Sequence, residues 1–219
     1  MNFCYDSRFV PAHGESSATV FLMNEAPGAL EAESGIPSFG AQGGNIYRAF
    51  RKAGIRWANI STAFVWPQKM PTSIRSLERH SSKAEFLHER AQHMSCTNAY
   101  SYWPKSGTDA SDFLPPKKSD VLSATNLLRI RREVHPNHAV LLICGKYAYL
   151  ACSGVPISYP LERECTPLSS EELTTINKRL QSEFKIGLYM GHTRRWTLHL
   201  ERTTAALISM ANDAAWILE

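Results

Sequence analysis

Two residues stand where an α/β protein puts its chemistry. Glu25 follows the apolar run Ala18–Met23 and precedes a turn-forming Pro27-Gly28, and His192 follows the run Ile186–Met190 and Gly191. If both runs are parallel strands of one sheet, their ends fall on the same rim. A carboxylate and an imidazole then converge on one crevice, a pair suited to general acid–base work or to stabilising separated charge. A plainer reading is equally open: Glu25 caps its own turn, and His192 is a solvated loop residue.

Other candidates are weighed the same way. The stretch Gly35–Gly44 has neither the Lys-Ser/Thr of a phosphate loop nor the spacing of a dinucleotide fold, which argues against ATP and NAD. Its glycines suit close backbone approach to a flat ligand. In His192-Thr193-Arg194-Arg195-Trp196, two arginines suit phosphate and the ring could fill a gap in a base stack; the alternative is a basic surface turn with Trp196 in the core. Lys69, Arg75, Lys117 and Lys118 could extend a phosphate-facing stripe, although scattered surface charge has the same appearance. Six of the other histidines (80, 88, 93, 135, 138, 199) form no ligand pattern. No metal is expected, and most are expected in solvated helices or turns. Cys144 is expected in the core.

The positioning elements follow from periodicity. Residues 1–17 show no clear period, and Ala18–Met23 reads as a buried strand. Ile46, Phe50 and Ala53 make the apolar stripe of a helix that Gly54 ends. Residues 58–65 read as a second strand. A basic loop (66–76), a polar helix (77–94) and a long irregular connection (95–118) are expected next. Val121–Val134 reads as a helix stopped by Pro136. Ala139–Cys144 is the most strand-like run, and Gly145 turns it into a helix, Lys146–Cys152. Residues 153–168 read as loop or irregular strand. Ser169 to Glu172 opens a helix through a capping box and carries it to about Phe184. Ile186–Met190 is the fourth strand, and Thr203–Leu218 the closing helix. This alternation predicts one α/β domain over residues 1–219, with a mostly parallel four-stranded sheet and helices on both faces.

A chain of 219 residues with 43% hydrophobic and 20% charged side chains is ordinary for a globular protein. Its net charge of +4 permits a polyanionic partner without requiring one. Five cysteines without a CxxC pair suggest reduced thiols. With no signal-like start and no bilayer-length apolar run, a soluble cytoplasmic protein without membrane contact is expected.

Glu25-Ala26-Pro27-Gly28, Glu31, and Gly35-Ile36-Pro37-Ser38-Phe39-Gly40 with Gly43 resemble the first motif of the uracil-DNA glycosylase superfamily. The nearest branch is the bacterial and archaeal one, whose motif begins Gly-Glu-Ala-Pro-Gly. The resemblance covers residues 18–65, continues over 121–152, and is thin at Gly191-His192-Thr193, where the family has His-Pro-Ser. It implies a three-layer α/β/α fold in which Glu25 and His192 are catalytic. Glu25 would activate the attacking water and face the sugar cation; His192 would stabilise the departing base. The backbone of Ala26 would donate to the base, Glu31 would supply a second acid, and Phe39, or Ser38 by strict register, would stack on the flipped base. Asn24, Pro27, Gly28 and Thr62 would line the pocket, with Gly191, Thr193, Arg194 and Arg195 against DNA.

The departures bear on substrate. Asn24 replaces a glycine of the motif, and Thr62 stands where many members have an Asn that reads uracil. Only Cys4 stands where that branch begins its iron–sulfur ligands, so no cluster or other cofactor is expected. The resemblance thus implies a monomeric DNA glycosylase acting on a deaminated base: uracil first, hypoxanthine or xanthine otherwise. With no lysine placed as a nucleophile, the product is an abasic site. The alternatives are a relative that binds damaged or single-stranded DNA without turnover, and an enzyme acting on free nucleosides.

Overall fold

The computed structural model describes residues 4–27, 31, 35, 37–38, 46, 49, 52–53, 94–98, 102–105, 116–157, 165–191 and 200–213. Strands β1 (Cys4–Phe9), β2 (Val20–Asn24), β3 (Met94–Asn98), β4 (Tyr102–Lys105), β5 (Val140–Cys144), β6 (Thr166–Pro167) and β7 (Ile186–Met190) are joined by helices α1 (Lys118–Val121), α2 (Ala124–Glu133), α3 (Lys146–Ser153), α4 (Ser170–Leu180) and α5 (Leu200–Asp213). Among the described residues no helix is long and apolar enough to cross a membrane.

The run Val20 to Asn24 is buried at every residue, as is Val140 to Cys144. Continuous burial of this kind marks strands covered on both faces. They form the middle of a sheet ordered β3-β2-β5-β7-β6. The first four strands are parallel, with Val20 opposite both Met94 and Val140, and Cys144 opposite Met190. Short β6 closes the edge antiparallel to β7. The fold is therefore α/β with a mostly parallel sheet.

Alternation along the strands sorts their side chains into two cores. Val20, Leu22, Val140, Leu142, Leu188 and Met190 point to one face, where they meet Ile46, Ala49, Leu207 and Met210. Phe21, Met23, Leu141, Ile143 and Tyr189 point to the other, against α1 to α4 through Val121, Ile130, Ala148, Ile176 and Leu180. The helices thus lie on both faces. The described part of the β2-to-β3 connection covers the first face, whereas α3 and α4, which carry the chain from β5 to β7, cover the second.

Several expectations change. Residues 1–17 contain β1, which pairs antiparallel with β4 in a separate two-stranded sheet. The expected irregular connection 95–118 contains almost all of β3, with β4 and the start of α1, so β3 rather than an element read from periodicity flanks β2. Met94 opens β3 instead of ending a helix, and the expected strand 58–65 lies outside the described residues. The helix expected over Val121–Val134 breaks at Leu122-Ser123. Ser123 Oγ accepts from Asn126 N–H to start α2, while Asn126 Nδ2 donates to the Val121 carbonyl at the end of α1. Helix α4 begins with the expected capping box but stops at Leu180. Gln181 turns left-handed, at φ 57°, and Asn177 Oδ1 accepts from Phe184 N–H, fixing the chain that leaves the helix.

Candidate active site

Strands β2 and β5 are neighbours, yet their outgoing connections leave toward opposite edges of the sheet and cover opposite faces. Between such strands the carboxyl ends open into a crevice, the usual ligand position of an open α/β sheet. Glu25 follows β2 at this point, and Gly145 follows β5.

The two residues meet. Glu25 turns away from its own turn toward β5 and lies over the α-carbon of Gly145, where an added Cβ would come within 2.6 Å of Glu25 Cδ. Gly145 sits at φ 94°, in the left-handed region that only glycine visits at little cost. This residue begins α3 without a side-chain cap. Glu25 serves instead: its Oε1 accepts from the Tyr147 N–H at 3.2 Å. A helix start is a favourable seat for an anion.

Electrostatics do not simply favour the anion. Burial raises the Glu25 carboxyl above its ordinary value of 4.5, against the lowering effects of the Tyr147 N–H, the Lys146 charge and the Lys146 backbone. Desolvation outweighs the helix start. A partly buried carboxylate with raised proton affinity beside oriented backbone N–H groups is the state expected of a base rather than of a simple cap.

Asn24, the last residue of β2, is 1% exposed and donates from Nδ2 to Ser38 Oγ at 2.7 Å. Ser38 is also buried, at φ 56°, an uncommon conformation for a residue with a side chain. Before it, Glu31 is buried and helical. Gly35, at φ 70°, donates its N–H to the Glu31 carbonyl and ends that turn as a left-handed C-cap. Ala26 and Pro27 are buried beside Glu25. Gly191 is buried at the end of β7, and the Gly145 N–H donates to the Met190 carbonyl just before it, at 2.9 Å. The ends of β2, β5 and β7 are thus tied in one row.

Of the sequence-predicted site, the structure brings Asn24, Glu25, Ala26, Pro27 and Ser38 to this rim, with Gly191 on the same row. Gly28, Phe39, Thr62, His192, Thr193, Arg194, Arg195 and Trp196 lie outside the described residues, as do Lys69 and Arg75. Lys117 and Lys118 are exposed at the start of α1. Gly145, Lys146 and Tyr147 were missed as site residues, although a glycine between the most strand-like run and a helix was a usable signal.

No protein-family model matches this chain. No curated protein matches it either.

Lys146 stands at the rim, exposed beside Glu25, with its Nζ over the Tyr147 ring, 5.1 Å from the centroid. One sequence reading is corrected: His138 is 1% exposed rather than solvated. It stacks on Phe21 with ring centroids 4.9 Å apart, below β5 and away from the crevice. Its Nδ1 accepts the His135 N–H, and burial with the nearby His135 lowers its pKa to about 4. Cys144, Cys152 and Cys165 carry free thiols, and burial pushes Cys152 up to about 12, a core thiol without reactivity. Among the described residues no group of His, Cys, Asp and Glu could hold a metal.

Proposed function

We propose that this chain is a monofunctional DNA glycosylase of the three-layer uracil-DNA glycosylase type. It takes a deaminated base out of DNA and hydrolyses its N-glycosidic bond. The observation that carries the reading is the partly buried Glu25 carboxylate, held over Gly145 and on the Tyr147 N–H at the sheet's switch point. The motif around it, Glu25 to Gly43, supplies the reaction class.

The chemistry asks for a carboxylate and a hydrogen-bond donor, the roles given to Glu25 and His192. The target base first leaves the stack, at a cost of about a few kcal/mol. As the bond from C1′ to the base nitrogen breaks, its electron pair leaves with the base and the sugar becomes cationic. Glu25 faces that cation and takes a proton from the water that attacks C1′. His192 donates to the base oxygen that gains charge, an interaction of the kind worth roughly 2.7–4 kcal/mol in a barrier. An abasic site and the base anion result, and the anion takes up through solvent the proton that Glu25 gives up. Water is the nucleophile here, with Lys146 contributing its charge only.

The test is an oligonucleotide panel, single- and double-stranded, carrying uracil, hypoxanthine or xanthine, followed by alkaline cleavage at abasic sites. Breaks with at least one base, lost in Glu25→Gln, are expected. Tight, salt-sensitive binding without breaks would favour a binding module, and action on deoxynucleosides alone would overturn the DNA-repair reading. Trapping of the protein on DNA by borohydride would assign the nucleophile to a lysine and contradict hydrolysis by water.

A further inference from the structure

We propose that Asn24 is the specificity-determining acceptor of this pocket, its Oδ1 receiving the ring N–H of a deaminated base. The proposal rests on the glycosylase reading above and adds the chemical feature by which the base is chosen.

Asn24 is the residue before Glu25 and is buried at the rim of β2. Its amide is half used. Nδ2 donates to Ser38 Oγ at 2.7 Å, while Oδ1 has no hydrogen-bond partner among the described residues and is shielded from solvent. Natural proteins rarely leave such an acceptor unpaired, and where they do the group commonly serves an absent partner. With Nδ2 on Ser38 Oγ, itself buried in a left-handed turn, Oδ1 is the edge left without a hydrogen bond. Side chains of β2 alternate, so Asn24 shares the face of Val20 and Leu22, whereas Glu25 turns toward Gly145. Acid and acceptor are adjacent in the chain without competing for the same space.

An acceptor at this place discriminates by simple chemistry. Deamination exchanges an exocyclic amino group for a carbonyl and moves a hydrogen onto the ring nitrogen. Uracil and hypoxanthine therefore present a ring N–H where cytosine and adenine, from which they arise, present a lone pair. Oδ1 gains a hydrogen bond from the first group and meets a second acceptor in the other. Thymine and guanine also carry a ring N–H and are not separated by this contact. Sites built around a buried hydrogen bond reject ligands that cannot complete it far more strongly than apolar pockets reject a missing methylene. A glycine at position 24 would have no such group. Asn24 thus offers an amide acceptor of the kind that the resembled family carries at the position of Thr62.

The test compares single-turnover excision of uracil and of N3-methyluracil, which lacks the ring N–H, from single-stranded oligonucleotides. The wild-type chain is expected to excise uracil at least ~100-fold faster. Asn24→Leu, near in size but without the amide, should slow uracil excision and narrow that ratio to within about tenfold. Asn24→Ala makes the same comparison should the leucine variant not fold. Ser38→Ala removes the tie but keeps Oδ1, and should slow both substrates while retaining most of the preference. An unchanged ratio in a folded Asn24 variant, or equal excision of both bases by the wild type, overturns this assignment alone. Excision by the wild type of none of uracil, N3-methyluracil, hypoxanthine and xanthine overturns the glycosylase reading and this assignment with it.

Discussion

The carboxylate of Glu25 and the α-carbon of Gly145 occupy adjoining space so closely that no side chain fits between them. Residues 120 positions apart are thereby made one unit at the junction of two parallel strands. Gly145→Ala should lower excision by at least ~100-fold, the scale of a displaced general base. The left-handed backbone adds a stability loss of about 1–3 kcal/mol. Gly154→Ala is the control. Gly154 also has a positive φ, 80°, but its added Cβ meets the flexible guanidinium of Arg179. Lower stability with normal excision is expected there, by thermal melting and single-turnover assay.

Glu25→Gln separates a catalytic base from a helix cap. The folded state raises the Glu25 pKa, so folding binds a proton and the ionised group costs stability as pH rises above its ordinary 4.5. At pH 7 the neutral glutamine should therefore be more stable than the wild type, with the difference vanishing toward pH 4. Excision should still fall by about 10²–10⁴-fold. Denaturant melts at the two pH values check the sign: a cap alone would make the glutamine variant less stable.

The pH profile follows from the same direction. The ionised carboxylate is the active form, so excision should fall on the acid side with a midpoint above 4.5. A rate flat from pH 7 to 4.5 would contradict the role of Glu25 as base.

His138 supplies a second pH dependence, of stability rather than rate. Its pKa is about 4 in the fold against 6.5 in the unfolded chain, so its contribution is full above 6.5 and is lost as pH falls toward 4. About 3 kcal/mol should disappear over that window. His138→Asn keeps an acceptor for the His135 N–H and should flatten that part of the curve.

A guanidinium relay holds the second core. Arg131 on α2 donates Nε and Nη2 to the Arg179 carbonyl near the end of α4, at 2.9 and 2.7 Å. Arg179 in turn donates Nε to the Ala151 carbonyl in α3. Both interactions serve carbonyls that a helix leaves without partners near its C-terminus. Arg131→Ala should cost about 1.5–3 kcal/mol in urea unfolding and leave the excision rate intact.

What could be read in advance divides by range. Three strand positions and the capping box of α4 were legible, because continuous apolar runs and cap chemistry are local signals. Strands β1, β3 and β4 were not. Cys4–Phe9 and Met94–Asn98 carry mixed polar sequences that pair through distant partners, and Pro104 inside β4 argues against a strand unless that strand lies at an edge. Glu25 was legible as a strand-end acid. Its seat on Gly145 was not, since that contact joins two strands whose adjacency no local pattern encodes. His138 was misread for the same reason: packing on Phe21, near the start of β2, buries it.

The most direct measurement of the central claim is the single-turnover rate of base release from an oligonucleotide bearing one uracil, for the wild type and Glu25→Gln at pH 7.5 with folding verified by melting. A measurable wild-type rate that falls at least ~100-fold in the glutamine variant, which nonetheless melts higher, is the predicted result. Equal rates in the two proteins would contradict the account.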